Sequence, residues 1–156
     1  MRLIVGDELK RDLQKIITNY NENNVQETCY DVSAKDINFR DNLLICDTIV
    51  DVPANYILQI CPAMSFQRKF VGKCFVPFYV WPGHKCVIAI PHKCREIEKI
   101  NDGSYYKASY FSYYKASYFV KGSEVVGRHI ANLMLFKLDT PVKKLYDGQY
   151  QNEGLK

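Results

Sequence analysis

The stretch from Gly83 to Cys94, GHKCVIAIPHKC, carries the tripeptide His-Lys-Cys twice. In an extended chain His84 and Cys86 fall on one strand face, and His92 and Cys94 on a face of another. Two such pairs on adjacent strands would offer two imidazole nitrogens and two thiolates, the donor set of a tetrahedral Zn²⁺ site. The C-x-x-C knuckle spacing is missing, and the alternative is four half-buried strand residues beside a Pro-Gly turn. His129, in GRHIANL, reads as a structural histidine within a strand.

Other chemistries are excluded by what the chain lacks. It has no Gly-rich phosphate loop of the Rossmann or P-loop type, no G-x-S-x-G elbow and no H-E-x-x-H. Carboxylates gather near the N-terminus, in REIEKINDG and in the tail, while Pro53 to Ile90 contains none. An enzyme that activates water needs a carboxylate or a metal facing its substrate, so this gap weighs against hydrolytic chemistry from the central strands.

The elements that would position these residues are legible from periodicity. DELKRDLQKIITNY sets Leu9, Leu13, Ile16, Ile17 and Tyr20 at helical spacing, with Asp7 expected as the N-cap. Strands are predicted at LLICDTIV, NYILQI, GKCFVPFYV, KCVIAI and HIANLMLFKL, most of them separated by Pro or Gly. With 156 residues, twelve Tyr and eight Phe, a single all-β domain of barrel or sandwich type is expected.

Six cysteines without a close pair read as free thiols in a reducing compartment. The start, MRLIVGDELKRD, fits neither a signal nor a transit peptide, and no run reaches the ~18 apolar residues of a membrane span. A soluble cytoplasmic protein is expected, with no membrane partner. A net charge of +4 suits a polyanionic small molecule and falls short of a nucleic-acid footprint.

The segment SYYKASYFSYYKASYF repeats one unit, Ser104 to Phe111, as Ser112 to Phe119. Two units this short do not make a solenoid, and a lengthened hairpin is expected. In it Tyr105, Lys107, Ser109 and Phe111 would share one face and Tyr106, Ala108 and Tyr110 the other. Such a surface would be a stacking platform or a protruding or oligomer-buried hairpin.

Several segments taken in order resemble the dCTP deaminase and dUTPase superfamily, and its deaminase branch more closely. LKRDLQKII followed by QETCYDVSA is similar to that branch's N-terminal helix and Ser-Tyr-Asp-Leu segment, with Cys29-Tyr30-Asp31-Val32 in the matching place. VPANYILQICPAMSFQRKF resembles the approach to the Arg-Ser-Ser-x-x-Arg phosphate motif, here Ala63-Met64-Ser65-Phe66-Gln67-Arg68. Trp81-Pro82-Gly83 stands where the family has its Asp-Pro-Gly turn. VVGRHIANLMLFKL is similar to the closing strand, and LYDGQYQNEG to the Tyr-x-Gly-Lys-Tyr-Gln tail that folds over the nucleotide.

The resemblance implies an all-β, dUTPase-like distorted barrel of the β-clip or jelly-roll kind with an N-terminal helix. It implies one domain over residues 1–156, an insertion from Glu96 to Glu124, and a homotrimer with sites between subunits. Its nucleotide-binding positions carry over to Ser65, Arg68, Trp81, Gly83, Tyr146 and Gln151, with Mg²⁺ only alongside a bound nucleoside triphosphate.

The departures fall on the working positions. Trp81 and Pro91 stand where the family places its two proton-carrying carboxylates, Ala63 and Met64 replace the first Arg and Ser of the phosphate motif, and Gln149 replaces the tail Lys. Loss of one general acid-base lowers rate by about 10²–10⁴-fold. The expectation is a degenerate relative that binds a pyrimidine deoxynucleotide or a protein partner. The alternative is an active dCTP deaminase or dUTP diphosphatase with relocated acids, Glu96 and Glu98 among the candidates. Trp81 itself would either fill a disused pocket or stack on something bound there.

Overall fold

The computed structural model describes residues 1–38, 40–69, 76–91, 94–96, 105–109, 117–121 and 126–155. For 69, 94–96, 105–109 and 117–121 it describes the backbone alone. Short β1 (Arg2–Leu3) leads into helix α1 (Gly6–Ile16) and a single 3₁₀ turn, Glu22–Asn24. Strands β2 (Tyr30–Asn38), β3 (Leu43–Asp51) and β4 (Tyr56–Pro62) follow, then the short helix α2 (Met64–Lys69). After it come β5 (Phe78–Val80), β6 (Lys85–Pro91), β7 (Cys94–Glu96), β8 (Tyr105–Ser109), β9 (Ser117–Lys121) and β10 (His129–Lys137).

The architecture is mostly β, with one antiparallel sheet curled into a half-barrel. Its order is β5-β4-β10-β2-β3-β6, and β1 pairs with the end of β10. Alternation drives the curl: in β3 Leu44, Cys46, Thr48 and Val50 turn inward, in β4 Tyr56, Leu58 and Ile60, and in β6 Cys86, Ile88 and Ile90. Burying one such aliphatic side chain contributes about 1.5–3 kcal/mol, so the concave face gathers the core. The curl sharpens where the ladder skips residues, between Ala34 and Asp36 of β2 and between Ile45 and Ile49 of β3.

Helix α1 adds Leu9, Leu13 and Ile16 to that core, one stripe at i, i+4 and i+7. Buried Asp12 on the same helix accepts a hydrogen bond from the Tyr56 hydroxyl at 2.8 Å. That bond and burial raise the Tyr56 phenol to about 12, burial contributing more. The expected Asp7 cap is corrected: extended Val5 is the N-cap, without a side-chain bond, and Asp7 sits in the first turn, where its charge favours the helix dipole. The helix also stops earlier than the spacing predicts, because Ile17 leaves it to bridge Val50 of β3.

Of the strand expected across GKCFVPFYV only Phe78–Val80 forms among the described residues; Val76 and Pro77, before it, belong to no strand, because Pro77 has no N–H for a ladder, and 70–75 lie outside the described residues. Strands β7, β8 and β9 form a separate antiparallel sheet in which Ala108 faces Tyr118 and Ser109 faces Ser117. The first copy of the duplicated unit thus pairs with the second, as expected of a hairpin, although Tyr110 to Ala116 and all side chains there fall outside the description. Among the described residues no helix is long and apolar enough to cross a membrane.

Candidate functional site

Strands β5 and β6 are consecutive in the chain yet lie at opposite edges of the sheet. The four residues between them, Trp81 to His84, therefore cross the open seam of the half-barrel instead of closing a hairpin. The crossing is pinned to the chain just past β3: Gly83 N–H donates to the Val52 carbonyl at 2.6 Å, and Val52 N–H donates to that of His84 at 3.1 Å. Gly83 has φ +88°, where a Cβ would be strained, and a Cβ there would stand 2.5 Å from the Leu145 Cβ.

Leu145 belongs to a tail that straps the seam. Tyr146 N–H donates to the Pro82 carbonyl at 2.9 Å, Asn152 N–H to that of Lys85 at 2.7 Å, and Val87 N–H to that of Glu153 at 2.9 Å. The Gln151 amide locks turn and tail together. Its Oε1 accepts from Lys85 N–H at 2.7 Å, while its Nε2 donates to the Gly83 carbonyl at 2.8 Å and to that of Tyr146 at 3.2 Å. The strap covers the outer edge of β6 with backbone partners, which protects an edge strand from pairing elsewhere.

Between the two edges and the strap lies a cavity of about 630 Å³. Its floor is Ile60, Val80, Cys86 and Ile88 of the barrel interior, and its walls are aromatic: Phe78, Tyr79, Trp81, His84, Tyr146 and Tyr150. The Tyr79 and Trp81 rings are 5.4 Å apart, and His84 and Tyr146 4.2 Å apart, each pair tilted by about 30°. His84 Nε2 donates to the Tyr150 carbonyl at 2.9 Å, which fixes its tautomer. Trp81 is 49% exposed and Tyr150 53%, so these rings line the space and leave it open.

Two carboxylates, Asp41 and Glu153, also line it. Asp41 is held by Asn38 at the end of β2: its N–H donates to Asn38 Oδ1 at 3.0 Å, and its Oδ2 accepts from Asn38 Nδ2 at 3.1 Å. Glu153 is placed by its backbone on β6, near enough to Cys86 to act on the thiol. Burial, with Glu153 second, pushes Cys86 up to about 12, which makes it a poor thiolate ligand.

The residues singled out by sequence divide into three groups. Trp81, His84, Cys86, Pro91 and Tyr146 share the cavity. Gly83 and Gln151 hold the turn and tail that frame it. Ser65 and Arg68 do not line it; they lie exposed on α2, beside buried Ala63 and Phe66. Ala63, at 1% exposure, has its amide committed to the Ile130 carbonyl, whereas Met64 is 65% exposed.

His84 and Cys86, expected on one strand face, differ in setting: Cys86 is buried and His84 half-buried at the strap. Of the other half of the Zn²⁺ set, His92 and the Cys94 side chain fall outside the described residues, as do Glu96 and Glu98 as side chains. Among the described residues no cluster of three or more His, Cys, Asp or Glu is arranged to hold a metal. His129 is satisfied where it stands, its Nε2 3.4 Å from Asp31 Oδ1 and within hydrogen-bond reach of Asn132.

Sequence reasoning missed Asp41 and Glu153. The signal for Asp41 was the Asn-x-x-Asp-Asn turn between two alternating runs; for Glu153 there was none, because only the strap brings the tail to β6. Fold and cavity together define a β half-barrel with an aromatic, carboxylate-bearing pocket at its open seam. No protein-family model matches this chain, and no curated protein matches it.

Proposed function

We propose that this chain is a catalytically degenerate relative of the dCTP deaminase and dUTPase superfamily, a cytoplasmic module that holds a ligand in the seam cavity without turning it over. One observation carries the reading. Trp81 and Pro91, the two positions at which the resemblance places proton-carrying carboxylates, are walls of one and the same cavity. Neither side chain transfers a proton, and the open Trp81 ring is suited to stacking.

Two further features support it. Ala63, in the place of the phosphate Arg, is sealed in the core, and Gln151 spends its amide on the turn and tail. In this reading the barrel is dUTPase-like and assembles as a homotrimer, so that exposed Ser65 and Arg68 of one copy approach the cavity of another. The ligand is a pyrimidine deoxynucleotide or a side chain of a protein partner.

The test is incubation of the purified chain with dCTP and with dUTP plus Mg²⁺, following ammonia and pyrophosphate. Neither product is expected above the uncatalysed background. A second reading, an active deaminase or diphosphatase with relocated acids, is favoured by Asp41 and Glu153, which bring two carboxylates to the cavity. Sustained turnover abolished by Asp41→Asn or Glu153→Gln would establish it and end the first.

A further inference from the structure

The chemistry of the seam cavity bears on its ligand. Its walls carry the aromatic rings of Tyr79, Trp81, Tyr146 and Tyr150, and its charged groups are the carboxylates Asp41 and Glu153. Among the described residues that line it there is no Lys or Arg. The whole chain is +4, and Arg40, Lys85 and Lys144 stand near lining residues in the sequence, but none of the three lines the cavity, so the charged side chains that line it are the two carboxylates. A triphosphate placed here would face both of them. A cation would gain twice, from the ring faces and from the carboxylates, as in the aromatic cages that hold quaternary ammonium groups.

We propose that this cavity selects an organic cation, an alkylammonium group carried by a free amine or by a lysine side chain of a partner protein. The group sits against Trp81 and its neighbouring rings, with Glu153, which the strap holds beside Val87, as the nearer counter-charge along β6 and Asp41, past the Pro91 end of that strand, as the farther one. The proposal rests on the binding-module reading and sets aside the nucleotide as its ligand. Ile60, Val80 and Ile88 beneath the rings keep that end of the cavity apolar, which suits the alkyl groups of such a ligand better than a polyanion.

Trp81 is the chain's single tryptophan, so its emission reports on this cavity alone. The intact chain would be titrated with tetramethylammonium, spermidine and a trimethyllysine peptide, and in parallel with dCTP and dUTP, followed by Trp81 emission and by calorimetry. Saturable quenching by the cations is expected, weakened about tenfold in the Asp41→Asn, Glu153→Gln double variant. Both substituted carboxylates are accessible, and circular dichroism verifies that the variant is folded. Tighter binding of the peptide than of the free amines would assign the source to a protein, and the reverse to a free amine.

Saturation by dCTP or dUTP with no response to any cation would overturn the proposal while leaving the binding module standing. Cation binding unchanged in the double variant, or no saturable response at all, would overturn it too. Turnover of dCTP or dUTP would remove the binding-module reading itself, and is read separately as ammonia or pyrophosphate.

Discussion

Replacing Gly83 by alanine tests whether the strap and the turn are one unit. An alanine at φ +88° costs about 1 kcal/mol in the left-handed region. Its Cβ would also stand 2.5 Å from the Leu145 Cβ and 2.9 Å from the Tyr146 backbone nitrogen. Ordinary carbon contacts begin near 3.5 Å, so the strap must retreat by about 1 Å. That retreat breaks two bonds, Tyr146 N–H to the Pro82 carbonyl and Gln151 Nε2 to the Gly83 carbonyl. At about 1 kcal/mol net for each, the total loss is about 3 kcal/mol, against a stability of about 5–15 kcal/mol for a domain. The assay is urea unfolding, combined with hydrogen exchange at the amides of Val87 and Asn152, which the strap pairs. Those two amides are expected to lose protection while core amides of β10 keep theirs, and Trp81 emission should shift red as the cavity opens. Unchanged protection at Val87 and a urea midpoint equal to the parent's would refute the coupling of turn and strap.

Three further outcomes follow from the same structure. Tyr56→Phe leaves buried Asp12 without its 2.8 Å donor and should lower stability by about 2 kcal/mol in urea unfolding, since bonds to charged groups are the stronger ones. Tyr20→Phe should be neutral or stabilising by up to about 1 kcal/mol, because the Tyr20 hydroxyl is buried with no partner among the described residues. The Cys86 thiol ionises near 12 in the folded chain against an ordinary 9.0, so its contribution to stability is fully present below pH 9 and is lost as pH rises toward 12. Urea midpoints between pH 8 and 10.5 should fall more steeply for the parent than for Cys86→Ala, by at most about 1.4 kcal/mol per pH unit. Parallel curves would contradict the burial of that thiol.

Most individual elements were legible in the sequence, because periodicity is a local property. Leu9, Leu13 and Ile16 marked the helix, and the runs at β3, β4, β6 and β10 were found within a residue or two of their ends. Strand β2 also alternates, but its more conspicuous signal in the sequence is the Cys29-Tyr30-Asp31-Val32 motif. The helix start was misplaced at Asp7 because Asp is a strong capping type. Val5 holds the cap instead, in extended backbone that continues from β1, and a tertiary bond from Gly6 N–H to the Glu27 carbonyl fixes that entry.

The seam lay beyond such reading. Nothing in FYVWPGHKCVIAI says that its two strands part to opposite edges; a Pro-Gly break between alternating runs is as compatible with a hairpin. The separation follows from pairing choices made elsewhere, β10 between β4 and β2, and β3 against β6. By itself the sequence determined which residues are apolar at which period, where glycine tolerates a left-handed turn, and that Trp81 and Pro91 carry no titratable proton. The tertiary structure alone decided that Asp41, Trp81, Pro91 and Glu153 face one cavity, because that meeting depends on sheet order and on the strap across it. Both are set by long-range hydrogen bonds and burial, which no local window of residues encodes.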